Sequence, residues 1–252
     1  MQKLHNRQAA GDKMKTYIKK FVNVIFGVLL YSFGVYLSVQ ANIGLAPWDA
    51  FSSGLSNITN MSFGLITSIT GIAILIVDVI LKEKIGFATI INTVFIGLFL
   101  DLMQAVNIVP LISNFAIGIV VLFAGQLCIC IATFFYIAPG MGCGPRDSLM
   151  VALGKRLTKV PIGIVRGLIE GSVLIIGWLL GAKIGLGTVI SVFGISFLLQ
   201  ATLALLHFNI KAVVHESILE TVINIKTELK KEHKKEDDTV DQNTSPFDLR
   251  SV

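Results

Sequence analysis

The chain has 252 residues, 54% of them hydrophobic and only 15% charged, with a mean hydropathy of +0.77. That is more apolar surface than a soluble domain of this size buries around one core, which points to lipid as the solvent. The formal net charge of +5 resides at the chain ends and in short loops, without interleaved aromatics, and this excludes nucleic acid as the partner.

The first element is a basic cytoplasmic arm, residues 1–20, with Lys3, Arg7, Lys13, Lys15, Lys19 and Lys20. The apolar run that follows from Phe21 is too long for a signal-peptide core and lacks a small-residue cleavage site, so it reads as a retained first helix. About 20 apolar residues are needed to cross about 30 Å of hydrocarbon. Such stretches lie at 21–41, 62–81, 86–105, 112–138, 161–181 and 184–206.

The basic residues alternate between these spans as the positive-inside rule requires. None lies in 42–61 or 106–111, whereas Lys82 and Lys84, and then Arg146, Lys155, Arg156 and Lys159, occupy the alternate connections. Lys183 alone lies on the other side. Both termini are therefore expected to be cytoplasmic, in a multi-pass protein of the bacterial cell (plasma) membrane. After the last span, Val214, Ile218, Val222, Ile225 and Leu229 recur at helical spacing, so 207–230 is read as carrying an amphipathic cytoplasmic helix. Residues 231–252 read as a disordered charged tail.

Between the first two spans, Pro47 suits a first helical turn and Asp49 complements its dipole. Trp48, Phe51, Leu55 and Ile58 then recur at three- and four-residue spacing, which predicts a short amphipathic helix over 47–58. Pro145, Asp147, Leu149, Leu153 and Leu157 predict its counterpart over 145–157. Whether the two lie flat, re-enter or span is open at this level.

The two belong to an internal repeat. A shift of 98 places sets Gly44, Pro47 and Asp49 on Gly142, Pro145 and Asp147, with Trp48 opposite Arg146. A shift of 99 sets Gly64 on Gly163, Lys84-Ile85-Gly86 on Lys183-Ile184-Gly185, Thr89 on Thr188 and Asp101 opposite Gln200. The fold class that follows is an all-α membrane protein of six transmembrane helices, arranged as two three-helix repeats over 21–105 and 106–206. Each repeat has a short amphipathic helix after its first span. Three spans is an odd number, so the repeats are expected to be inverted, an arrangement common in secondary transporters. If both short helices spanned, the repeats would instead be parallel.

The segments Asn-Ile-Gly-Leu-Ala-Pro-Trp-Asp at 42–49, Ile-Gly-x-x-Thr at 85–89 and Gly-Pro-Arg-Asp-Ser-Leu at 144–149 resemble the YczE/YitT-like family of uncharacterised integral membrane proteins of bacteria. The resemblance covers about 20–206. It implies a multi-pass bacterial cell-membrane protein and brings with it no substrate, cofactor or catalytic residue.

Candidate functional residues follow from cost. Glu170 sits near the middle of the fifth span, where an unpaired charge costs about 2.5–3.5 kcal/mol on insertion scales, and Arg166 lies one helical turn before it, within reach of an ion pair. Glu170, Arg166, Asp49, Asp147 and Asp101 are the candidate substrate or coupling-ion residues. Gly44, Pro47, Trp48, Gly142, Pro145 and Arg146 are candidate gate or motif residues. Gly163, Gly167 and Gly171 are expected to pack closely against another helix. Asp78 and Asp101, near span ends, are expected to reach water, and Asn92, Gln126 and Gln200 either to bridge helices or to line a cavity.

Cys128, Cys130 and Cys143 make no disulfide framework, and His5, His207, His215 and His233 no metal-ligand spacing. No nucleotide loop or nucleophile elbow is present, so neither cofactor, metal nor enzymatic activity is expected. Two functions remain: a transporter or permease-like protein for a small solute, proton-coupled through Glu170; or a membrane-embedded accessory or regulatory protein binding a cytoplasmic partner, or a second copy of itself, through 139–160 and the tail.

Overall fold

The computed structural model describes residues 2–209 and 212–227. The expected tail at 231–252, and the end of the amphipathic segment from 228, lie outside the described residues. The described chain is all-helical: α1 (Gln2–Gln40), α2 (Pro47–Thr59), α3 (Phe63–Ile80), α4 (Phe87–Val106), α5 (Phe115–Ile137), α6 (Pro145–Arg156), α7 (Ile162–Leu179) and α8 (Leu186–Leu205). Among the described residues, five helical stretches are long and apolar enough to cross a membrane: Lys15–Gln40, Phe63–Ile80, Phe87–Val106, Phe115–Ile137 and Leu186–Leu205. The expected fifth span coincides with α7. The basic arm is not a separate element, because α1 runs through it without a break.

The centre of the bundle is the antiparallel pair α1 and α5. Gly27 lies against Ala132 and Tyr136, Gly34 against Gly125 and Ile129, and Ala41 against Gly118. A Cβ at Gly34 would come within 2.6 Å of the Gly125 carbonyl oxygen, so this close approach requires the glycine. Helix α4 packs on α1, where Val24, Val28, Tyr36, Ala88, Ile96, Leu100 and Ile129 form the largest buried apolar cluster. Large apolar side chains such as Ile80, Leu98, Val120, Leu168 and Phe197 stay exposed around the outside, as lipid-facing residues do.

The two halves hold each other by reciprocal bonds. The Gly187 amide donates to the Ile43 carbonyl at 2.8 Å, and the Ala88 amide donates to the Met141 carbonyl at 2.9 Å. These four residues are equivalent positions under the sequence repeat. The helix starts they join are built alike as well: the Thr89 hydroxyl accepts from the Gly86 amide, and the Thr188 hydroxyl from the Gly185 amide, each at 3.3 Å.

Helix α2 runs beside α7 in the same direction, with Ala50 and Gly54 against Gly177 and the Asn57 amide donating to the Gly181 carbonyl at 3.2 Å. Helix α6 runs likewise beside α3, with the Arg156 guanidinium donating to the Leu81 carbonyl at 2.8 Å and Lys155 paired with Glu83 at 2.7 Å. Neither short helix buries the apolar face its spacing suggests. In α2 the buried residues are Pro47, Asp49, Ala50, Ser52 and Gly54, and in α6 they are Pro145, Ser148 and Ala152. Ile58 and Leu157 are exposed. Small residues win these faces because they let two helix backbones approach closely.

Beyond α8, 212–217 form an irregular strap and helix begins only at 218, later than the periodicity suggests. The Glu216 amide donates to the Gly140 carbonyl at 2.7 Å and the Ile218 amide to the Ile85 carbonyl at 2.9 Å, so the strap closes over the end of the bundle where α5 finishes and α4 begins. Glu216 also pairs with Lys20 at 3.7 Å and Glu220 with Lys84 at 2.9 Å.

Candidate functional site

The site is built from the two short helices and the glycine loops that lead into them. After α1 ends, the Leu45 amide bonds to the Lys183 carbonyl at 3.2 Å. Gly44 takes φ +126°, a region favoured only by glycine, and a Cβ there would meet the Gly185 nitrogen at 2.6 Å. Gly142 repeats this geometry in the second half, at φ +117°, with the Thr89 hydroxyl 2.6 Å from the position of a Cβ. The chain then turns inward, and Pro47 and Pro145 open α2 and α6. Their caps, Ala46 and Gly144, offer no side-chain acceptor to the first-turn amides.

The two helix starts therefore meet inside the bundle, at a cavity of about 160 Å³. Asp49, at the start of α2, is 5% exposed, and its carboxylate faces the Arg146 guanidinium of α6 at 3.9 Å. Arg146 also lies over the Trp48 indole, 5.1 Å from the ring centroid, a cation–π geometry. Asp147 accepts from the Tyr136 hydroxyl at 3.5 Å. Arg166 and Glu170 form the expected ion pair on α7, at 2.8 Å. Tyr31, Thr67, Asn92, Thr93 and Ser191 add polar surface, and Val35, Ile96, Ile129 and Ile195 supply apolar wall. The Gln126 amide donates to the Ser191 hydroxyl at 2.7 Å, while its own oxygen has no partner.

Three carboxylates and two guanidiniums thus share one small cavity with the positive ends of two helix dipoles. The enclosure is so nearly balanced in charge that neither sign is in large excess. Such balance suits ligands carrying opposite charges or several hydrogen-bonding groups.

Of the sequence-derived candidates, Glu170, Arg166, Asp49, Asp147, Pro47, Trp48, Pro145 and Arg146 line this cavity together, and Gly44 and Gly142 lie in the loops that lead into α2 and α6. Asp101 lies elsewhere. Its carboxylate accepts from the Gly64 and Leu65 amides at 2.8 and 3.1 Å and from the Ser62 hydroxyl, so it caps α3 and touches no part of the cavity. The expected close packing at Gly163, Gly167 and Gly171 is not made: no described atom lies within 4 Å of a Cβ added at any of them, because α7 and α8 barely touch. Asp78 also departs from expectation, being fully buried with both carboxylate oxygens unpartnered.

Tyr31 and Tyr136, in edge-to-face contact at 6.2 Å, were not distinguishable as site residues in the sequence. Their only signal is a phenol within an apolar span, well inside it for Tyr31 and next to its end for Tyr136, which also suits an interhelical hydrogen bond.

A family of unknown function, DUF6198, matches residues 18–203. The chain is 32% identical over 192 residues to an uncharacterised protein of Haemophilus influenzae, covering 76% of this chain and 87% of that one. It is 31% identical over 169 residues to the uncharacterised membrane protein YczE of Bacillus subtilis, covering 66% and 76%. Over 175 residues it is 27% identical to YyaS of the same organism, covering 69% and 87%. No solved structure matches it. Several apolar helices of spanning length, with a membrane protein among the relatives, make this a multi-pass membrane protein.

Proposed function

The chain belongs to DUF6198, and from a membrane protein of that family we propose a transporter or permease-like protein for a small polar solute, with the cavity between α2 and α6 as its binding site. In this reading α7 also spans, as the fifth of six in chain order, the halves are inverted three-helix repeats with one re-entrant short helix each, and both termini are cytoplasmic. It has no enzymatic role.

The observation that carries the proposal is a difference between equivalent helix pairs. In the first half, α3 and α4 pack tightly, with Gly64 against Gly97 and Asp101 capping α3. In the second half the equivalent pair, α7 and α8, stands apart. Gly163 meets nothing within 4 Å, Gln200 is exposed, and the α7 start has no side-chain cap. Arg166 and Glu170 on α7, and Ser191 and Ile195 on α8, border the cavity along this gap.

Two copies of one unit, one closed and one open, are what alternating access requires: exchanging their conformations would move the opening to the other end. With the Lys- and Arg-bearing loops cytoplasmic, this structure corresponds to the inward-facing state. The Arg166–Glu170 pair, 2.8 Å apart, stands in the cavity wall, so Glu170 is the residue assigned to the solute or its coupling ion.

Reconstituted into liposomes, the protein should take up members of a panel of small amino acids, organic acids and amines, and Glu170→Gln and Arg146→Ala should each abolish uptake while eluting as folded protein. Uptake of none, together with retrieval of a protein partner that requires 139–160 or the tail, would replace this reading with the accessory-protein one.

A further inference from the structure

Asp78 is an ionisable group for which the cavity has no use. It lies in the last turns of α3, fully buried, and neither carboxylate oxygen has a hydrogen-bond partner. Under the repeat it corresponds to Gly177, the residue that lets α2 lie close on α7. A carboxyl therefore stands where the other half has no side chain, and α6 packs less closely on α3 than α2 does on α7.

The charged and titratable groups around it do not neutralise it. On the following loop, Glu83 is close enough to act on it electrostatically, but Glu83 is already paired with Lys155 of α6 at 2.7 Å. Arg156 of α6 is turned to the Ala152 and Leu81 carbonyls. Cys143, leading into α6, lies within electrostatic range of Asp78, but its thiol is in contact with the Ser148 hydroxyl at 3.1 Å. Arg146 and Asp147 of α6 border the cavity. The one acid of α4, Asp101, is at the far end of α3, and the one acid of α2, Asp49, faces Arg146. A carboxylate with neither counter-charge nor donor is costly in an apolar interior and is stable there as the neutral acid.

We propose that Asp78 is a proton-binding site: it holds a proton while α6 is docked on α3, and releases it to cytoplasmic water when α6 moves away and the carboxylate becomes hydrated. Because α6 carries Arg146 and Asp147 into the cavity, proton binding at Asp78 sets the position of one wall of the solute site. The assignment of this coupling to transport rests on the function proposed above; the proton site does not.

The test uses the full-length protein in lipid vesicles without solute, so that a failure of the transport reading leaves it intact. Infrared difference spectra from about pH 5 to about pH 9 should show a protonated-carboxyl carbonyl band that disappears with rising pH. The band should persist in Glu83→Gln and be absent from Asp78→Asn, whose amide is close in shape and keeps the fold. In a second measurement, spin labels at Val79→Cys and Leu157→Cys, with native cysteines replaced by serine, should move apart as the band disappears. With Asp78→Asn added, they should stay at the short distance at every pH. A band unchanged by Asp78→Asn, one that does not titrate over the range, or a label distance that ignores pH would each overturn the proposal.

Discussion

The Arg146 guanidinium lies 5.1 Å from the centroid of the Trp48 ring, and these are the two residues that the internal repeat sets opposite one another. Each stands in the first turn of its short helix, directly after Pro47 or Pro145. This contact therefore marks where the two short helices converge, and Asp49 stands beside it at 3.9 Å from the same guanidinium.

Arg146→Ala should leave Asp49 without its counter-charge in a largely buried position. The expected loss of thermal stability in detergent corresponds to about 1–3 kcal/mol, tempered by the 24% exposure of the arginine side chain. Adding Asp49→Asn should restore part of it. Equal losses in the single and double variants would show that the pair is uncoupled.

Under the proposed transport function, the closed and open ends should be exchangeable through their caps. Asp101→Gln combined with Gln200→Asp replaces the carboxylate at the α3 start by a neutral amide and supplies a carboxylate to the α7 start, where it is favoured by the dipole. A cysteine at Ile195, on the cavity wall, should react with an impermeant reagent from the cytoplasmic side in the native background and from the outside in the exchanged one. Unchanged sidedness would exclude the caps as determinants of state.

Glycines that serve different purposes should respond differently to alanine. At Gly44 and Gly142, positive φ and a blocked Cβ position predict a loss of roughly 1–3 kcal/mol. At Gly163 and Gly167, where nothing lies within 4 Å, alanine should raise helix stability by about 0.5–1 kcal/mol. Unfolding temperatures of the four variants provide the comparison.

Docking of the strap at 212–217 should depend on pH. Burial lowers the pKa of His215 from its ordinary 6.5, and its Nδ1 has no partner, so the docked strap holds the neutral ring. The undocked state binds the proton more readily, and docking therefore weakens as pH falls below 6.5 and stays strong above it. Glu220 acts in the opposite sense and elsewhere: bonds from the Ser217 amide and Lys84 hold its carboxyl down to about 2, so its contribution is lost only in strong acid. Hydrogen exchange of the Glu216 and Ile218 amides, corrected for intrinsic rates, should accelerate on acidification in the native chain and much less in His215→Phe.

Sequence alone determined where the helices lie and that Gly44, Pro47 and Asp49 recur as Gly142, Pro145 and Asp147, because hydrophobic length and the spacing of glycine, proline and aspartate are local and survive without coordinates. The expected 62–81 and 86–105 became Phe63–Ile80 and Phe87–Val106, and the ion pair of Arg166 and Glu170 follows from one turn of helix. Tertiary structure alone decided which faces of α2 and α6 are buried, since close backbone approach at Ala50, Gly54 and Gly177 outweighs the apolar stripe through Trp48 and Leu55. It also separated Asp101 from the other carboxylates, turned Asp78 from a residue near water into a buried one, and left Gly163, Gly167 and Gly171 open. The physical reason is common to all four outcomes: a span's composition sets that it is buried in lipid or protein, but only the packing of its neighbours decides which side faces which.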